Sequence, residues 1–147
     1  MRKKHHLLME GNQPEGGEWN YDKSNRKKWK QDTLIPPHQI FLKDVSSLLE
    51  EIREAGIKTI GRINAKSFEY PTSRKEALEQ LDYFGEHLLI HFGDYQDAMD
   101  TNEVNLYHSR ISFAMNIKLI SPKEVIEKVL ETYRISKDEI HISQVEG

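Results

Sequence analysis

Ser121-Pro-Lys-Glu-Val-Ile-Glu-Lys-Val-Leu-Glu-Thr-Tyr133 is the stretch from which the fold can be read. Ser121 with Glu124 forms a capping box, in which each side chain satisfies the other residue's backbone N–H. Pro122 stands at the first helical position, where its missing N–H costs nothing. Val125, Ile126, Val129, Leu130 and Tyr133 then recur at helical spacing along one face. Ser73-Arg-Lys-Glu76 repeats the same opening, and Ala77, Leu81, Phe84, Leu88 and His91 stripe the helix behind it as far as Gly93. Leu42, Val45, Leu48, Leu49 and Ile52 make a third face that stops at Gly56.

Two weaker openings follow. Ser109 is a suitable N-cap for a helix running through Phe113 to Lys118, and Ser136-Lys-Asp-Glu139 opens a last helix with only about two turns of sequence behind it. There is no strand alternation of useful length and no internal repeat. Residues 1–37 instead carry turn formers at high density, from Gly11, Pro14, Gly16 and Gly17 to Pro36 and Pro37. Trp19, Tyr21 and Trp29 on such a segment call for a larger surface to pack on, one that need not lie within this chain. The expectation is an all-α fold, with a linker-rich loop region over residues 1–40 and a partial helical bundle over residues 41–147. Both ends read as cut from something larger.

Composition bounds the function. The 147 residues contain no Cys, which excludes disulfides, thiolate nucleophiles and protein-ligated iron–sulfur clusters within this sequence. No apolar run approaches a membrane span and none near Met1 suits a signal peptide, so the expected location is cytoplasmic. Residues 1–30 hold eight Lys/Arg against four Asp/Glu, whereas the remainder holds thirteen against twenty. A basic head on an acidic body leaves room for one local basic contact, not for a surface that coats nucleic acid.

Several constellations admit both chemical and purely structural readings. Tyr107-His-Ser-Arg-Ile-Ser112 sets two hydroxyls and a guanidinium at a helix start, where N–H groups and the helix dipole favour phosphate; a plain cap accounts for the same residues. His87 and His91, four apart, with Asp94, Asp97 and Asp100 behind them, have metal-ligand spacing. They lack the Glu of a catalytic pair and the Gly of a calcium loop, which favours a partly buried histidine and a solvated acidic face. Arg26, Lys27, Lys28 and Lys30 around Trp29 suit a nucleic-acid backbone with one stacked base, or a flexible basic linker whose Trp packs on a neighbour. Nucleophile-elbow, dinucleotide and Walker motifs are absent from the sequence.

Gly16-Gly-Glu-Trp-Asn-Tyr-Asp22, followed by Asn25-Arg26, resembles the Gly-Gly-x-Trp-Asn-(Phe/Tyr)-Asp signature of the deoxyribodipyrimidine photolyase-related family. This is the bacterial photolyase/cryptochrome branch that includes the iron–sulfur (6-4) photolyases. Phe68 to Arg74, Gln96 to Met99 with His108 to Ser112, and Gln144 to Gly147 resemble further segments of that family in the same order. The resemblance implies the start of an FAD-binding domain, in which Ser109 and Ser112 are hydroxyl donors to the phosphates or ribose of FAD and Arg110 is a charge partner. It implies that His108 stands where relatives have Thr, that Ile111 gives a backbone or packing contact, and that Tyr95 matches an upstream cofactor-contacting Tyr. Lys118 departs from the pattern, since the family usually has Gly there.

By the same resemblance the complete protein carries FAD, acts on pyrimidine dimers in damaged DNA by light-driven electron transfer, and has the remaining photolyase domains as partners. The iron–sulfur cluster belongs to the family's carboxy-terminal part. These residues alone are expected to bind FAD weakly at best and not to repair DNA. The alternative is a stand-alone α-helical protein that binds a partner or nucleic acid without catalysis.

Overall fold

A computed structural model describes residues 2–30 and 34–146. Its centre is a bundle of helices: α3 (Arg74–Tyr83), a π-helical turn (Phe84–Leu88), α4 (Leu89–Tyr95), α5 (Ser112–Asn116), α6 (Pro122–Ile135) and α7 (Ile142–Glu146). Before these come α1 (Arg2–His5), β1 (Met9–Glu10), β2 (Gln13–Pro14) and α2 (Ser46–Glu54). The fold is therefore mostly helical and not wholly so. The strands pair antiparallel around Gly11-Asn12, Met9 opposite Pro14, and a single bridge joins Lys43 to Phe68. Strands of two residues are too short to leave an alternating pattern, which is why the sequence showed none. Among the described residues no helix is long and apolar enough to cross a membrane.

Both capping boxes form as the sequence predicts, Ser73 with Glu76 and Ser121 with Glu124. Each carboxylate also recruits a cation from elsewhere. Lys43 pairs with Glu76, tying the segment before α2 to the start of α3. Arg74 pairs with Glu124 and donates to the Leu119 carbonyl at 2.8 Å, tying the starts of α3 and α6. Their hydrogen bonds to Lys43 and Arg74 hold both carboxyls at about 2, far below their usual range.

The π-helical turn alters the predicted stripe. One extra residue in the turn rotates everything after it. Phe84, Leu88 and Leu89 are buried, Gly93 takes the inward position beyond them, and His91 is left half-exposed with its ring edge against Tyr107. At Gly93, α4 meets α7 so closely that a Cβ would lie 2.6 Å from the Ser143 carbonyl oxygen and 2.8 Å from the Gln144 Cα. Buried polar groups stitch the crossing. Asn25 Nδ2 donates to Ser143 O at 2.9 Å, and Asp94 N–H donates to Gln144 Oε1 at 3.0 Å.

Residues 2–30 pack on this bundle. Tyr21 belongs to the core, its hydroxyl donating to Gly16 O and its N–H to the Glu146 carboxylate. Gly16 adopts φ +76° with the Tyr21 hydroxyl directly over its Cα, so both the conformation and the space exclude a side chain. Trp29 lies edge-on to Tyr95 at 5.0 Å. The same chain thus supplies the surface for Tyr21, beside His141, and for Trp29, on Tyr95, whereas Trp19 stays 44% exposed with Lys3 over its ring.

Two helix starts differ from expectation. Ser136 does not open a helix; it closes α6, and the turn from Ser136 to Ile140 drives Ile140 and Ile142 into the core. Burial of two isoleucines outweighs a further capped turn. α7 starts instead at Ile142, where His141 Nδ1 accepts the Ser143 N–H. The third predicted helix begins only at Ser46, because Leu42 and Lys43 run extended beside Phe68. α2 buries no residue, and its Val45, Leu48, Leu49 and Ile52 face remains at least partly open.

Lys118, where the resemblance leads one to expect Gly, sits at the end of α5. α5 ends in a Schellman motif, with Lys118 N–H donating to Met115 O and Leu119 N–H to Ala114 O. The motif places Lys118 at φ +65°, a left-handed conformation that costs a residue with a Cβ about 1 kcal/mol. Lys118→Gly should therefore raise the melting temperature, by an amount corresponding to about 1 kcal/mol, and calorimetry checks this. Gly93→Ala should lower stability by about 1–3 kcal/mol in the same experiment, through overpacking against the α7 backbone.

Acid should unfold the protein in a defined window. Both capping carboxyls are depressed in the fold, so they stabilise it above the ordinary value of 4.5 and lose that contribution as pH falls from 4.5 toward 2. Melting temperatures measured across that range should fall less steeply in Glu124→Gln than in the parent.

Candidate functional site

The residues singled out in the sequence meet on the turn between α4 and α5. Leu106 and Tyr107 anchor it, 1% and 3% exposed. Tyr107 stacks on Tyr95 with ring centres 5.9 Å apart and donates its hydroxyl to Leu34 O at 2.7 Å. Tyr95 lies beneath the turn, between Trp29 and Tyr107. His38 reaches Leu106 O through Nε2 at 2.8 Å; a carbonyl only accepts, so Nε2 carries the proton. Burial first, then the charges of Arg110 and His108, push the His38 pKa below its ordinary value, against the pull of that hydrogen bond. His38 is thus a neutral donor that holds Leu106 at φ +43°.

Beyond this anchor the chain turns out again. Ile111 is buried and caps α5 with its backbone, so the helix begins at Ser112, and Ser109 lies outside it. Ser109 is not the N-cap that its sequence position suggests, because burying Ile111 sets the helix start. Ser109 is half-buried and Ser112 exposed, and neither hydroxyl has a hydrogen-bond partner among the described residues. Arg110 sits at φ +55° with its side chain 11% exposed. It lies 5.3 Å over the Tyr70 ring and 3.5 Å from the Glu69 carboxylate. Its Nη1 and the Nε2 of His108 are buried without a hydrogen-bond partner. Buried polar atoms left without partners cost free energy and point to a missing one. Strained φ values at Leu106 and Arg110 are of the kind that accompanies a built site.

Sequence reasoning missed the support for this turn. Phe68, Tyr70 and Phe113 form an aromatic shelf under Arg110, with Tyr70 and Phe113 ring centres 4.9 Å apart. Only the Phe-x-Tyr pattern before Pro71 hinted at it. Nothing local marks His38, which comes from the Pro-rich segment and meets Leu106 only in the fold.

The other constellations resolve into packing. His87 lies against Tyr83 at 4.5 Å, while His91 faces Tyr107 and stands 3.9 Å from an Asp94 carboxylate already held by Lys27 at 2.9 Å. Among the described residues no group of three or more His, Asp or Glu is placed to hold a metal ion. Trp29, for which the sequence left open stacking on a base or packing on a neighbour, is committed to Tyr95 and Tyr107.

Comparison with known proteins bears on the same segments. The family model of deoxyribodipyrimidine photo-lyase-related proteins matches residues 1–68. A (6-4) photolyase of Agrobacterium fabrum is 33% identical over 135 residues, which cover 90% of this chain and 26% of that relative. The chain is thus similar to the photolyase-related family along most of its length. An uncharacterized protein of Acanthamoeba polyphaga mimivirus is 40% identical over 53 residues, covering 36% of this chain and 40% of that protein. The chain thus spans about a quarter of the photolyase's length. In this chain the segment Gly16 to Asp22 folds as the Gly16–Tyr21 turn locked to Glu146, and the segments at 68–74 and 108–112 come together as shelf and turn.

The His38 contact gives a measurable consequence. Its pKa is lowered in the fold, so its contribution is present above the unfolded value of 6.5 and is lost as pH falls below it. Between pH 7 and 5 the parent should lose melting temperature that His38→Gln, whose amide also donates but does not titrate, retains.

Proposed function

We propose that this chain holds the diphosphate of FAD in a photolyase-like flavoprotein that acts on damaged DNA. The observation that carries the reading is the pair of buried, partnerless nitrogens on one turn, Arg110 Nη1 and His108 Nε2, beside the unengaged hydroxyls of Ser109 and Ser112. A guanidinium, two hydroxyls and an imidazole nitrogen, which donates when Nε2 is protonated, form a set suited to phosphate oxygens. Tyr70 and Glu69 orient Arg110, and Ile111 with Leu106 fixes the turn that carries all four groups. Tyr95 supports Tyr107 from below, a role consistent with its depth. When bound, the flavin supplies light absorption and the electron chemistry, while these residues bind and orient it. Similarity to the family supports the cofactor, and the name of the Agrobacterium relative supports a lesion in DNA as the target. A sequence without Cys contributes no thiolate to an iron–sulfur cluster.

Titration with FAD, followed by flavin fluorescence and by the protein's melting temperature, tests the proposal. Arg110→Ala should weaken binding about tenfold or more, as expected for a lost charged hydrogen bond, and Ser109→Ala with Ser112→Ala by a smaller factor. Pyrophosphate should compete. A parent protein whose melting is indifferent to both FAD and pyrophosphate would refute the assignment, as would equal affinity across these variants.

A further inference from the structure

The basic segment that the sequence analysis singled out is not a flexible linker. Its inward side chains are fastened at regular intervals: Tyr21 in the core, Asn25 at 1% exposure on Ser143 O, and Trp29 against Tyr95. The Lys27 N–H adds a backbone bond to Asp94 O at 3.0 Å. Between these anchors Lys23, Arg26, Lys27, Lys28 and Lys30 all stand exposed, five cations against Asp22 alone within residues 22–30. Arg26 pairs with Asp22 and Lys27 with Asp94, while Lys23 and Lys28 carry no ion pair among the described residues. Holding that many like charges along one fixed strip raises their mutual repulsion, which a polyanion relieves.

The surroundings limit what the polyanion contacts. A groove of about 680 Å³ is lined by Lys23, Arg26 and Lys27 together with Asp94 and Glu139. A second, of about 490 Å³, is lined by Arg26, Lys27 and Lys28 together with Asp97 and Asp100. Carboxylates stand among the cations in both grooves, so the unbalanced positive charge lies along the strip itself, where Lys23 and Lys28 have no acidic partner among the described residues. Trp29 is unavailable for stacking, so no base is read there.

We infer that the crest of Lys23, Lys28 and Lys30 is a sequence-independent contact for the phosphate backbone of duplex DNA. The choice of DNA as the polyanion rests on the function proposed above; the contact itself does not depend on flavin. The inference concerns the strip's electrostatics and leaves lesion recognition aside.

The test is binding of an undamaged duplex of roughly 20 base pairs, in the dark and without flavin, as salt is raised from about 50 to 200 mM. The affinity of the parent should fall with salt, and Lys23→Gln, Lys28→Gln and Lys30→Gln together should make the log–log slope shallower by about 2–3, with an unchanged melting temperature. A charge-matched control at Lys58, Lys66 and Lys75, all exposed and outside the strip, should keep the parent's slope. Equal slopes for parent and crest variant overturn the inference. So does an equal loss in the control, which would make net charge the cause, or equally tight binding of poly-glutamate, which would make the surface one for acidic protein. Arg110→Ala should leave the slope untouched, so failure of the flavin reading and failure of this one are told apart.

Discussion

Where α4 crosses α7, Gly93 brings two backbones within van der Waals reach, and that closeness organises most of what surrounds it. With the helices so near, Asp94 on α4 donates to Gln144 on α7, and Asn25 of the amino-terminal segment reaches Ser143 at the same crossing. Asn25 then fixes the basic strip, and the Asp94 carbonyl and carboxylate fix Lys27 within it. Tyr95, at the end of the same helix, gives Trp29 and Tyr107 a shared surface and so positions the turn that carries Arg110. A side chain at position 93 would push these groups apart together. The amino-terminal strip and the phosphate-facing turn are in this sense two outputs of one helix crossing.

The helix starts at Ser73 and Ser121 were legible because a capping box is a local device: four consecutive residues contain the donors and the acceptors. Ser109 and Ser136 carry the same residue type without the same result. At both places a buried isoleucine decides the backbone path, Ile111 in one case and Ile140 in the other, and no local pattern announces which apolar residue reaches the core. His38 and Tyr70 were invisible for a related reason. Their partners, Leu106 and Arg110, are distant in sequence, and the pairing exists only after α4, α5 and the Pro-rich segment have assembled. The family resemblance named the residues of the turn from their order along the chain. Their buried, partnerless nitrogens belong to the fold and could not be seen beforehand.

Lys118 shows how a departure from a family pattern can be read physically. The backbone there keeps the left-handed geometry that glycine serves best, and the helix end closes with both of its hydrogen bonds. The change therefore costs conformational energy and leaves the geometry intact, so it does not unsettle the position of Ser112 and Arg110 six to eight residues before it.

The π-helical turn at Phe84–Leu88 makes chain length itself part of the design of this bundle. One residue fewer between α3 and α4 would leave a smooth, more ordinary helix and would swing its second half by roughly 100°. Gly93 would then point away from α7, and a bulkier neighbour would be driven into it. Substitutions along this helix can be absorbed one at a time, but a deletion cannot, and relatives that share the α4–α7 crossing are bound to keep the same count of residues through it.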